Sequence, residues 1–325
     1  MILITGGAGY IGSHVALQLL KQEYDIVIVD SLENGQLETI KTLQSIRKFD
    51  FVRADLKNIK DIHKIFEQFS IDQVMHFAAY IRVEESVQNP TKYYQNNFIG
   101  SLNLFTSMVA HNVKKLVFSS TAAVYGEPKY VPIDENHPKN PVNPYGFSKF
   151  AVEQMLSDFD RAYDLKSVIL RYFNVAGADH LGRIGENHVP ETHLIPNILR
   201  ASSETVFKLY GDDYDTPDGT CIRDYVNVED LANAHLLALN HLNATNKSDW
   251  FNVGTKDGNS VKEICKICEK VMGRKVKLEI CPRRDGDPVK LVADNSKIEK
   301  ILGWKPKRSL EDTISSAYVW EGKKE

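Results

Sequence analysis

The chain has 325 residues, and its 42% hydrophobic and 26% charged residues are ordinary for a globular protein of about two domains. Its 40 basic and 43 acidic side chains leave a formal net charge of −3. This balance argues against a strongly basic nucleic-acid binder and against a disordered acidic chain, so we expect no nucleic-acid partner.

The first 20 residues contain no Asp, Glu, Lys or Arg, a feature shared by signal peptides and membrane spans. No positive residue precedes the apolar run at 2–4, however, and the glycine cluster at 6–9 would break a single helix. The stretch predicts a short buried strand, Ile2–Thr5, and then a helix from about Tyr10. No other uncharged apolar run approaches spanning length, so we expect a soluble cytoplasmic protein with no membrane partner.

The first half of the chain alternates short apolar runs with longer helical patterns. Such alternation predicts right-handed crossovers and a parallel, doubly wound α/β sheet. Helices are expected at Asn58–Phe69 and Asn89–Ala110, and another starts at Asn143–Pro144, where an N-cap residue precedes a proline as it does at Asn89–Pro90. The predicted strands are Ile2–Thr5, Asp25–Asp30, Phe49–Arg53, Gln73–Phe77, Lys115–Ser119 and Ser167–Arg171.

After about Arg171 the pattern loosens, and residues 176–222 are rich in Gly, Asp, His and Pro, with one short helix near Pro196–Ser202. We therefore expect a first, Rossmann-like domain over residues 1–171 and a smaller α/β substrate-binding domain over 172–325. The segment at about 224–250 reads as a strand followed by a helix, and we expect it to return to the first domain.

The four cysteines include one C-x-x-C pair, Cys265 and Cys268. A structural zinc site normally needs a second close pair, which this sequence lacks. Because the surrounding segment has the apolar spacing of an amphipathic helix, both thiols are predicted to be buried as small hydrophobic groups, and no metal is expected.

Three glycines, Gly6, Gly9 and Gly12, form a G-x-x-G-x-x-G turn between the first strand and the first helix. Such a turn lets backbone N–H groups at a helix N-terminus approach a pyrophosphate. Asp30 closes the second predicted strand, 18 residues after Gly12, close to the spacing of about 20 expected of an acid that binds the adenosine ribose. Because a carboxylate accepts hydrogen bonds from a 2′-OH and repels a 2′-phosphate, the pattern predicts NAD rather than NADP. The alternative is a strand-end aspartate without a ligand.

Tyr145 and Lys149 lie four residues apart at the start of a predicted helix and so share a face. Bringing a tyrosine pKa from about 10 to 7 takes about 4 kcal/mol, which a fixed ammonium and the positive nicotinamide ring can provide. Ser119, Ser120 and Thr121 end the preceding strand, at the sheet edge where open α/β sheets bind ligands. The pattern predicts that Tyr145 removes a proton from a substrate oxygen held by a neighbouring hydroxyl. The alternative is an exposed helical pair.

Further segments of the chain carry a resemblance to a known family. They are, in order, HFAA at 76–79, SSTAAVYG at 119–126, NPYGFSK at 143–149, RYFN at 171–174, YGDDYDTPDGT at 210–220, RDY at 223–225 and PRRDGD at 282–287. Together with TGGAGYIG at 5–12, they resemble the UDP-glucose 4-epimerase family of the extended short-chain dehydrogenase/reductase superfamily. The resemblance extends through about Trp304.

This resemblance implies a Rossmann-like NAD domain with Tyr145, Lys149 and Thr121 as catalytic residues. It further implies that NAD is contacted by Gly6, Gly9, Tyr10, Ile11, Gly12, Asp30, Asn34, Asp55, Leu56, Phe77, Ala78, Ala79, Asn96, Ser119, Tyr145, Lys149 and Tyr172. The implied contacts of a UDP-hexose are Thr121, Tyr145, Asn174, His193, Leu194, Tyr210, Arg223, Arg284 and Asp287. Arg223 and Arg284 would bind the diphosphate, because the planar guanidinium suits phosphate.

The activity implied is reversible C4 epimerisation of a UDP-hexose through a 4-keto intermediate, with NAD retained and galactose metabolism as the setting. Related dehydratases carry Asp-Glu after the hydroxyl residue and related decarboxylases carry a glutamate there, whereas this chain has Ala122 and Ala123. Both alternatives are disfavoured but stay open, as does a non-catalytic nucleotide-binding protein, since fold alone does not fix function.

Three positions depart from the family pattern. Ile81 stands where some relatives have a lysine at the NAD pyrophosphate, and the neighbouring Arg82 either replaces that lysine or is simply a solvated charge. His193 stands where some relatives have an asparagine at the substrate diphosphate. Leu291 stands at a position linked to the size of the sugar pocket, so the plain and N-acetylated UDP-hexoses both stay open as substrates.

The resemblance also implies a homodimer whose helices near 90–111 and 144–163 pair across a two-fold axis. The apolar stripe of Tyr94, Phe98, Leu102 and Phe105 fits that interface, but it equally fits packing against the chain's own sheet.

Overall fold

A computed structural model describes residues 1–201, 206–284 and 287–324. Within these ranges, no helix is both long enough and apolar enough to cross a membrane. Ser202, the predicted end of one short helix, lies outside the described residues.

The chain divides into two compact units. The first comprises Met1–Gly126, Lys139–Arg171 and Ala232–Phe251, and the second comprises Glu127–Pro138, Tyr172–Leu231 and Asn252–Glu325. Compared with the expected boundaries, residues 127–138 belong to the second unit, and only the later part of the segment at 224–250 belongs to the first.

The first unit is built on a seven-stranded sheet of order β10-β6-β5-β4-β1-β2-β3. The pairs from β6 across to β3 are all parallel. The strand order reverses between β1 and β4, which is the topological switch point of a doubly wound fold. The strands are β1 Ile2–Thr5, β2 Ile26–Asp30, β3 Asp50–Arg53, β4 Gln73–His76, β5 Lys115–Ser119, β6 Lys166–Tyr172 and β10 Asp249–Val253.

The second unit contains two smaller sheets. In one, β9 pairs with β7 and β13 in parallel and with β11 in antiparallel fashion, and in the other β12 pairs with β8 in parallel. These strands are β7 Asn174–Ala176, β8 Phe207–Tyr210, β9 Ile222–Asn227, β11 Gly258–Ser260, β12 Leu278–Cys281 and β13 Lys290–Leu291.

Twelve α-helices lie within the described residues, together with one π-helical segment, Tyr94–Ile99, and one 3₁₀ turn, Ala122–Val124. The helices are α1 Tyr10–Lys21, α2 Leu37–Ile46, α3 Ile59–Gln68, α4 Val83–Gln88, α5 Pro90–Tyr93, α6 Gly100–Ala110, α7 Pro144–Tyr163, α8 Leu194–Arg200, α9 Val228–Thr245, α10 Val261–Met272, α11 Ser296–Leu302 and α12 Leu310–Glu321.

The predicted strands of the first half all form, within one or two residues of their expected ends. Both Asn-Pro helix starts are also confirmed: Asn89 Oδ1 accepts from the Lys92 amide, and Asn143 Oδ1 accepts from the Gly146 amide. The predicted helix Asn89–Ala110 differs, because the π-helical segment divides it into α5 and α6. The strand half of the segment at 224–250 also differs, since β9 belongs to a sheet of the second unit.

Buried apolar side chains between the sheet and its helices form the core of the first unit. Phe105 is fully buried in this core, and Phe98 and Leu102 pack against it. The apolar stripe therefore faces the chain's own sheet, except for Tyr94, which is exposed. In the second unit Cys265 and Cys268 lie buried on α10, within a core cluster, as predicted.

Candidate active site

The glycine loop forms a tight cradle at the start of α1. Gly6 has a φ of +74°, and a Cβ atom there would lie 2.6 Å from the backbone nitrogen of Ala78, so only glycine fits. Gly9 occupies the N-cap of α1 without a side-chain cap, and the first turn contains no acidic residue. The positive end of the helix dipole is thus left to an anionic ligand.

Asp30 ends β2 beside this cradle. Its Oδ2 accepts from the Ala8 amide at 3.0 Å and its Oδ1 accepts from the Leu32 amide at 2.8 Å. Burial raises the pKa of this carboxyl, while the two amide bonds oppose the rise. Because each carboxylate oxygen has a second lone pair, Asp30 can accept further hydrogen bonds from a ribose.

The other residues expected at the cofactor follow the carboxyl ends of β2, β3 and β4 or sit on the helices above them. Asn34 is exposed after β2, and Asp55 and the buried Leu56 follow β3. Asn96 lies in the π-helical segment, where irregular backbone often marks a functional site. Half-buried residues at the same edge of the sheet are Tyr10, Ile11, Phe77, Ala78 and Ala79.

Lys149 extends from α7 to the end of β5. Its Nζ donates to the carbonyl of Ser119 at 2.8 Å and lies 4.9 Å from the centre of the Phe118 ring. The side chain is almost fully buried, and this desolvation lowers the pKa of Lys149 to about 7, although the Glu153 carboxylate opposes the shift. The predicted helical pair is therefore not an exposed one.

Tyr145 lies one turn before Lys149 on α7 and is 7% exposed. Burial raises the pKa of its phenol, and a hydrogen bond with the Thr121 side chain lowers it. Burial is the larger of these two effects, so the pKa of the phenol lies above its ordinary value. Thr121 also caps the 3₁₀ turn, since its Oγ1 accepts from the Ala123 amide at 3.1 Å.

Beneath these residues lies a buried polar network that sequence reasoning missed. Arg171, from β6, donates to both carboxylate oxygens of Glu153 at 2.9 and 2.6 Å and to the Tyr125 hydroxyl at 3.0 Å. Ser120 donates to Glu153 at 2.5 Å. The sequence feature that could have indicated this network is the position of Glu153, one turn after Lys149 on the same helix.

Ser119 and Ser120 both form hydrogen bonds with other side chains of the first unit. The Ser119 hydroxyl shares a hydrogen bond of 2.8 Å with Nε2 of His235 on α9, which the sequence did not single out. Only Thr121, of the three consecutive hydroxyl residues, contacts the Tyr145 phenol.

In the second unit, Arg223 and Asp287 form an ion pair. Arg223 lies on β9 and is 7% exposed, and its Nη1 also donates to the Ile222 carbonyl at 2.7 Å. The neighbouring Asp224, quoted only as part of a motif, is fully buried and accepts from the Thr255 amide at 2.8 Å and from the Ala293 amide at 3.1 Å. Asp224 thus fixes the strand that carries Arg223.

The guanidinium of Arg284 lies 4.0 Å from the centre of the Tyr210 ring, at the end of β8. An arginine stacked on an aromatic ring is a surface suited to a nucleotide base or phosphate. Asn174 is exposed at the start of β7, which pairs with β9, and Leu194 begins α8. Tyr172 ends β6 and is half-buried.

His193 lies at the N-cap of α8 between two carboxylates. Its Nδ1 is 2.6 Å from Glu186 Oε1 and 3.2 Å from Glu191 Oε1. These carboxylates raise the pKa of His193 to about 10 against the opposing effect of burial, so the imidazole carries a positive charge at neutral pH. Neither glutamate was identified from the sequence.

Two of the departures from the family pattern now have a structural setting. Arg82 pairs with Glu85 at 2.8 Å, and Glu85 also binds Lys92 and the Tyr93 hydroxyl, so Arg82 is not simply a solvated charge. Leu291 lies on β13 directly opposite Arg223 of β9.

Comparisons with known proteins agree with this architecture. The model of the family described as GDP-mannose 4,6 dehydratase matches residues 3–317. A UDP-glucose 4-epimerase of Lactobacillus helveticus is 49% identical over 98% of this chain and 96% of its own length.

Two solved structures are similarly close. The UDP-glucose 4-epimerase of Bifidobacterium longum, in complex with NAD+ and UDP, is 39% identical with a TM-score of 0.94 over 99% of this chain and 98% of that one. The UDP-Glc/GlcNAc 4-epimerase of Campylobacter jejuni is 45% identical with a TM-score of 0.88, covering 99% of each chain.

A parallel doubly wound sheet, a glycine cradle and a buried Tyr–Lys pair define an extended short-chain dehydrogenase/reductase. Within that superfamily, the chain belongs to the UDP-glucose 4-epimerase family.

Proposed function

We propose that this protein is an isomerase that interconverts UDP-glucose and UDP-galactose at C4 of the hexose, with NAD as its retained cofactor. The observation that carries the proposal is the buried Tyr145 phenol, which is hydrogen-bonded to Thr121 at the carboxyl edge of a nucleotide-binding sheet. The 49% identity to a UDP-glucose 4-epimerase supports the same activity.

The residues of the first unit fit NAD. Gly6, Gly9 and Gly12 leave room for a pyrophosphate at the start of α1, and the Asp30 carboxylate suits a free 2′-OH rather than a 2′-phosphate. When bound, NAD supplies a hydride acceptor that later returns the hydride, so a 4-keto sugar forms and no net oxidation occurs.

In the proposed mechanism, Tyr145 is the base that takes the proton of the sugar 4-OH. It returns the proton after the 4-keto sugar has rotated to present its other face. Thr121 holds the same oxygen through its hydroxyl, and its hydrogen bond favours the phenolate form of Tyr145. Lys149 bonds the nicotinamide ribose, and its charged form favours the same phenolate.

The second unit is proposed to hold the nucleotide. Arg223 and Arg284 bind the diphosphate, Tyr210 packs near the uracil, and Asp287 contacts the uridine ribose. The support is chemical: two guanidinium groups and a stacked aromatic ring match a diphosphate joined to a base. Since the hexose has to rotate within the site, most of the binding energy should come from contacts with the nucleotide.

The substrate range extends beyond the plain hexoses in some relatives, such as the C. jejuni enzyme named for both UDP-Glc and GlcNAc. Leu291, of intermediate size, sits opposite the phosphate-binding Arg223 on the neighbouring strand. We infer that UDP-galactose is turned over faster than its N-acetylated form, and that the product serves galactose metabolism.

We also infer a homodimer and a cytoplasmic location. The dimer is supported by exposed apolar side chains on the π-helical segment and α7, namely Tyr94, Ile99 and Phe147. The location is supported by the four cysteines, all of which are free thiols, as expected in a reducing compartment.

The decisive experiment uses purified protein, UDP-galactose and no added cofactor, and follows the formation of UDP-glucose. Tyr145→Phe should lose at least about 100-fold in kcat, because the base is gone, while mass spectrometry still finds NAD released on denaturation. Tyr318→Phe, at an exposed tyrosine of α12, is the matched control.

Undiminished turnover in Tyr145→Phe would overturn the mechanism. Failure of the wild type to interconvert any UDP-hexose would favour the non-catalytic alternative, and a product lighter by one water would favour a dehydratase.

A further inference from the structure

The loop that leads into α8 gathers four side chains with metal-ligating atoms. Glu186, His188, Glu191 and His193 each offer one such atom, and these atoms lie within 4.8 Å of one another. They are spaced two, three and two residues apart within one eight-residue stretch, and we call them the 186–193 cluster. Nothing in the proposed epimerase mechanism uses Glu186, His188 or Glu191.

The distances show how tightly the cluster converges. Glu186 Oε1 lies 2.9 Å from His188 Nδ1 and 2.6 Å from His193 Nδ1. His193 Nδ1 lies a further 3.2 Å from Glu191 Oε1. Glu191 Oε1 also accepts from the backbone amides of Thr192 and His193, both at 2.9 Å. Backbone hydrogen bonds therefore fix this carboxylate, whereas the two imidazoles share Glu186 Oε1.

Both carboxylates of the cluster are withdrawn from water. The side chain of Glu186 is 5% exposed and that of Glu191 is 3% exposed. Glu191 Oε2 is buried and has no hydrogen-bond partner among the described residues. Arg200 comes within 3.6 Å of this oxygen but directs its hydrogen bonds to Glu321, at 2.6 and 3.1 Å. Glu191 Oε2 thus has an ion-pair neighbour in Arg200 but no hydrogen bond, and a cation bound directly to it would lower the cost of its burial.

The donor set matches a first-row transition metal. Two imidazole nitrogens and two carboxylate oxygens are ligands that Zn²⁺ accepts, and the two negative charges balance a divalent ion. In a tetrahedral site with metal–ligand bonds of about 2.0–2.1 Å, neighbouring ligand atoms lie about 3.3 Å apart. The separations of 2.9, 2.6 and 3.2 Å given above are shorter than this by about 0.1 to 0.7 Å, so an ion would move these ligand atoms apart by that amount.

The scaffold under the cluster is well anchored. The Glu186 carbonyl accepts from Trp320 Nε1 at 2.7 Å and from Lys324 Nζ at 2.5 Å. A Cβ atom on Gly185 would fall 2.5 Å from the Trp320 ring, so the loop is pressed against the end of α12. The side chain of His193 is 40% exposed and that of His188 is 21% exposed, which leaves a path for an ion.

We propose that Glu186, His188, Glu191 and His193 form a binding site for a divalent transition-metal ion of the Zn²⁺ class. The bound ion ties the loop to the start of α8, and its four ligands come from one short stretch of the second unit. Of the four ligands, only His193 is also an implied contact of the UDP-hexose, and metal binding can be measured without the epimerase activity.

A second cluster in the same unit serves as a contrast. Asp179, His180 and Glu229 also hold ligand atoms within 4.8 Å of one another. There, however, Arg183 binds both oxygens of Asp179 at 2.7 and 2.6 Å, and Arg308 binds Glu229 at 2.9 Å. Arginine is not deprotonated in proteins, so these carboxylates stay neutralised, whereas the imidazoles of the 186–193 cluster can release a proton to an incoming metal ion. The second cluster should therefore not take a metal ion.

The test titrates metal-free protein with Co²⁺ at mildly alkaline pH, where protons compete less for imidazole. Binding at this site should give one ion per chain and visible d–d bands without the thiolate charge-transfer band that the C-x-x-C pair would produce. Zn²⁺ should then displace Co²⁺, since Zn²⁺ stands above it in the usual order of affinity.

Two single variants, His188→Gln and Glu191→Gln, remove one ligand each, and far-ultraviolet circular dichroism checks that both are folded. Each should weaken Zn²⁺ binding at least about tenfold in equilibrium dialysis. His180→Gln, in the contrasting cluster, should bind Zn²⁺ as the wild type does.

The proposal fails if wild-type protein binds no stoichiometric Co²⁺ or Zn²⁺. It also fails if folded His188→Gln and Glu191→Gln bind as tightly as the wild type, or if the Co²⁺ spectrum shows thiolate ligation.

Discussion

The hydroxyl of Thr121 is the neighbour that favours ionisation of Tyr145 in the described structure, whereas burial works against it. The proposed base thus starts from a pKa above its ordinary value. In the proposed mechanism, the positive charges of Lys149 and of the nicotinamide ring would lower this pKa. This explains why a Tyr–Lys pair is recognised readily in a sequence while its electrostatics are not.

Thr121→Val tests this arrangement because it removes the hydroxyl and keeps the side-chain shape. Without the hydrogen bond, the pKa of Tyr145 should rise further, so the acid limb of the kcat profile should move to higher pH. At neutral pH we expect kcat to fall about 10- to 100-fold. Thr121→Ser, which keeps the hydroxyl, is the control, and the acid limb of its kcat profile should lie at the same pH as in the wild type. An unshifted limb in Thr121→Val would show that another group favours the phenolate.

At the level of secondary-structure elements, α7 carries Tyr145 and Lys149, the two proposed catalytic side chains, and the Glu153–Arg171 pair helps to fix its position. This pair joins α7 to β6, and both side chains are at most 5% exposed. An unpaired buried guanidinium is expensive, because its hydration is lost without compensation.

Glu153→Gln should therefore reduce the free energy of unfolding by about 3–5 kcal/mol. The double variant Glu153→Met/Arg171→Met should cost less than the single one, because no charge is then left buried. Glu311→Gln, which breaks the exposed pair with Lys270, should cost less than about 1 kcal/mol. Urea denaturation of the four proteins measures these differences, and a double variant worse than Glu153→Gln would contradict the expected coupling.

The same elements show what the sequence can predict. Strands β1 to β6 follow from apolar runs of four to seven residues between helical patterns, and the two Asn-Pro starts follow from local hydrogen bonding. The π-helical segment cannot be predicted in this way, because i→i+5 hydrogen bonding has no characteristic amino-acid composition. The assignment of β9 to a smaller sheet cannot be predicted from local sequence either, since strand pairing depends on contacts between residues far apart in the chain.

At the scale of the whole molecule, motif order alone identified the family. The folded structure adds what motifs could not give: the carboxylates around His193, the buried support of Asp224 for Arg223, and the network under α7. These groups come together only in the folded chain, although Glu186, Glu191 and His193 are close in sequence. Their spacing matches neither helical nor strand periodicity, so the sequence pattern does not predict that they come together.

The proposed homodimer makes a prediction about assembly. Ile99 is 41% exposed and Phe147 is 49% exposed, and charges there would be desolvated in an interface. Ile99→Glu/Phe147→Glu should therefore sediment as a monomer at concentrations where the wild type is a dimer. Val319→Glu, at an exposed apolar side chain on α12, is the control. A dimer that persists in the double variant would place the interface on another surface.

Lys149 links the stability of the molecule to pH. Burial lowers the pKa of Lys149 to about 7, whereas in the unfolded chain it is about 10.4. Between these two values the unfolded state binds more protons, so this group makes stability rise with pH. Below pH 7 the full cost of burying the ammonium is present, and above about pH 10.4 it vanishes. Removing the ammonium with Lys149→Met should therefore stabilise the protein most at low pH.

The stability gained by Lys149→Met relative to the wild type should shrink by about 1.4 kcal/mol for each pH unit from 7.5 to 9. The lost bond to the Ser119 carbonyl adds a cost that does not change with pH, so the slope, not the size, of the difference is diagnostic. Urea denaturation of NAD-free protein at several pH values measures this slope. Lys21→Met, at an exposed lysine of α1, should give a flat difference over the same range. A flat difference for Lys149→Met as well would mean that water or the Glu153 carboxylate keeps the buried ammonium charged, and that Lys149 enters the reaction as a full cation.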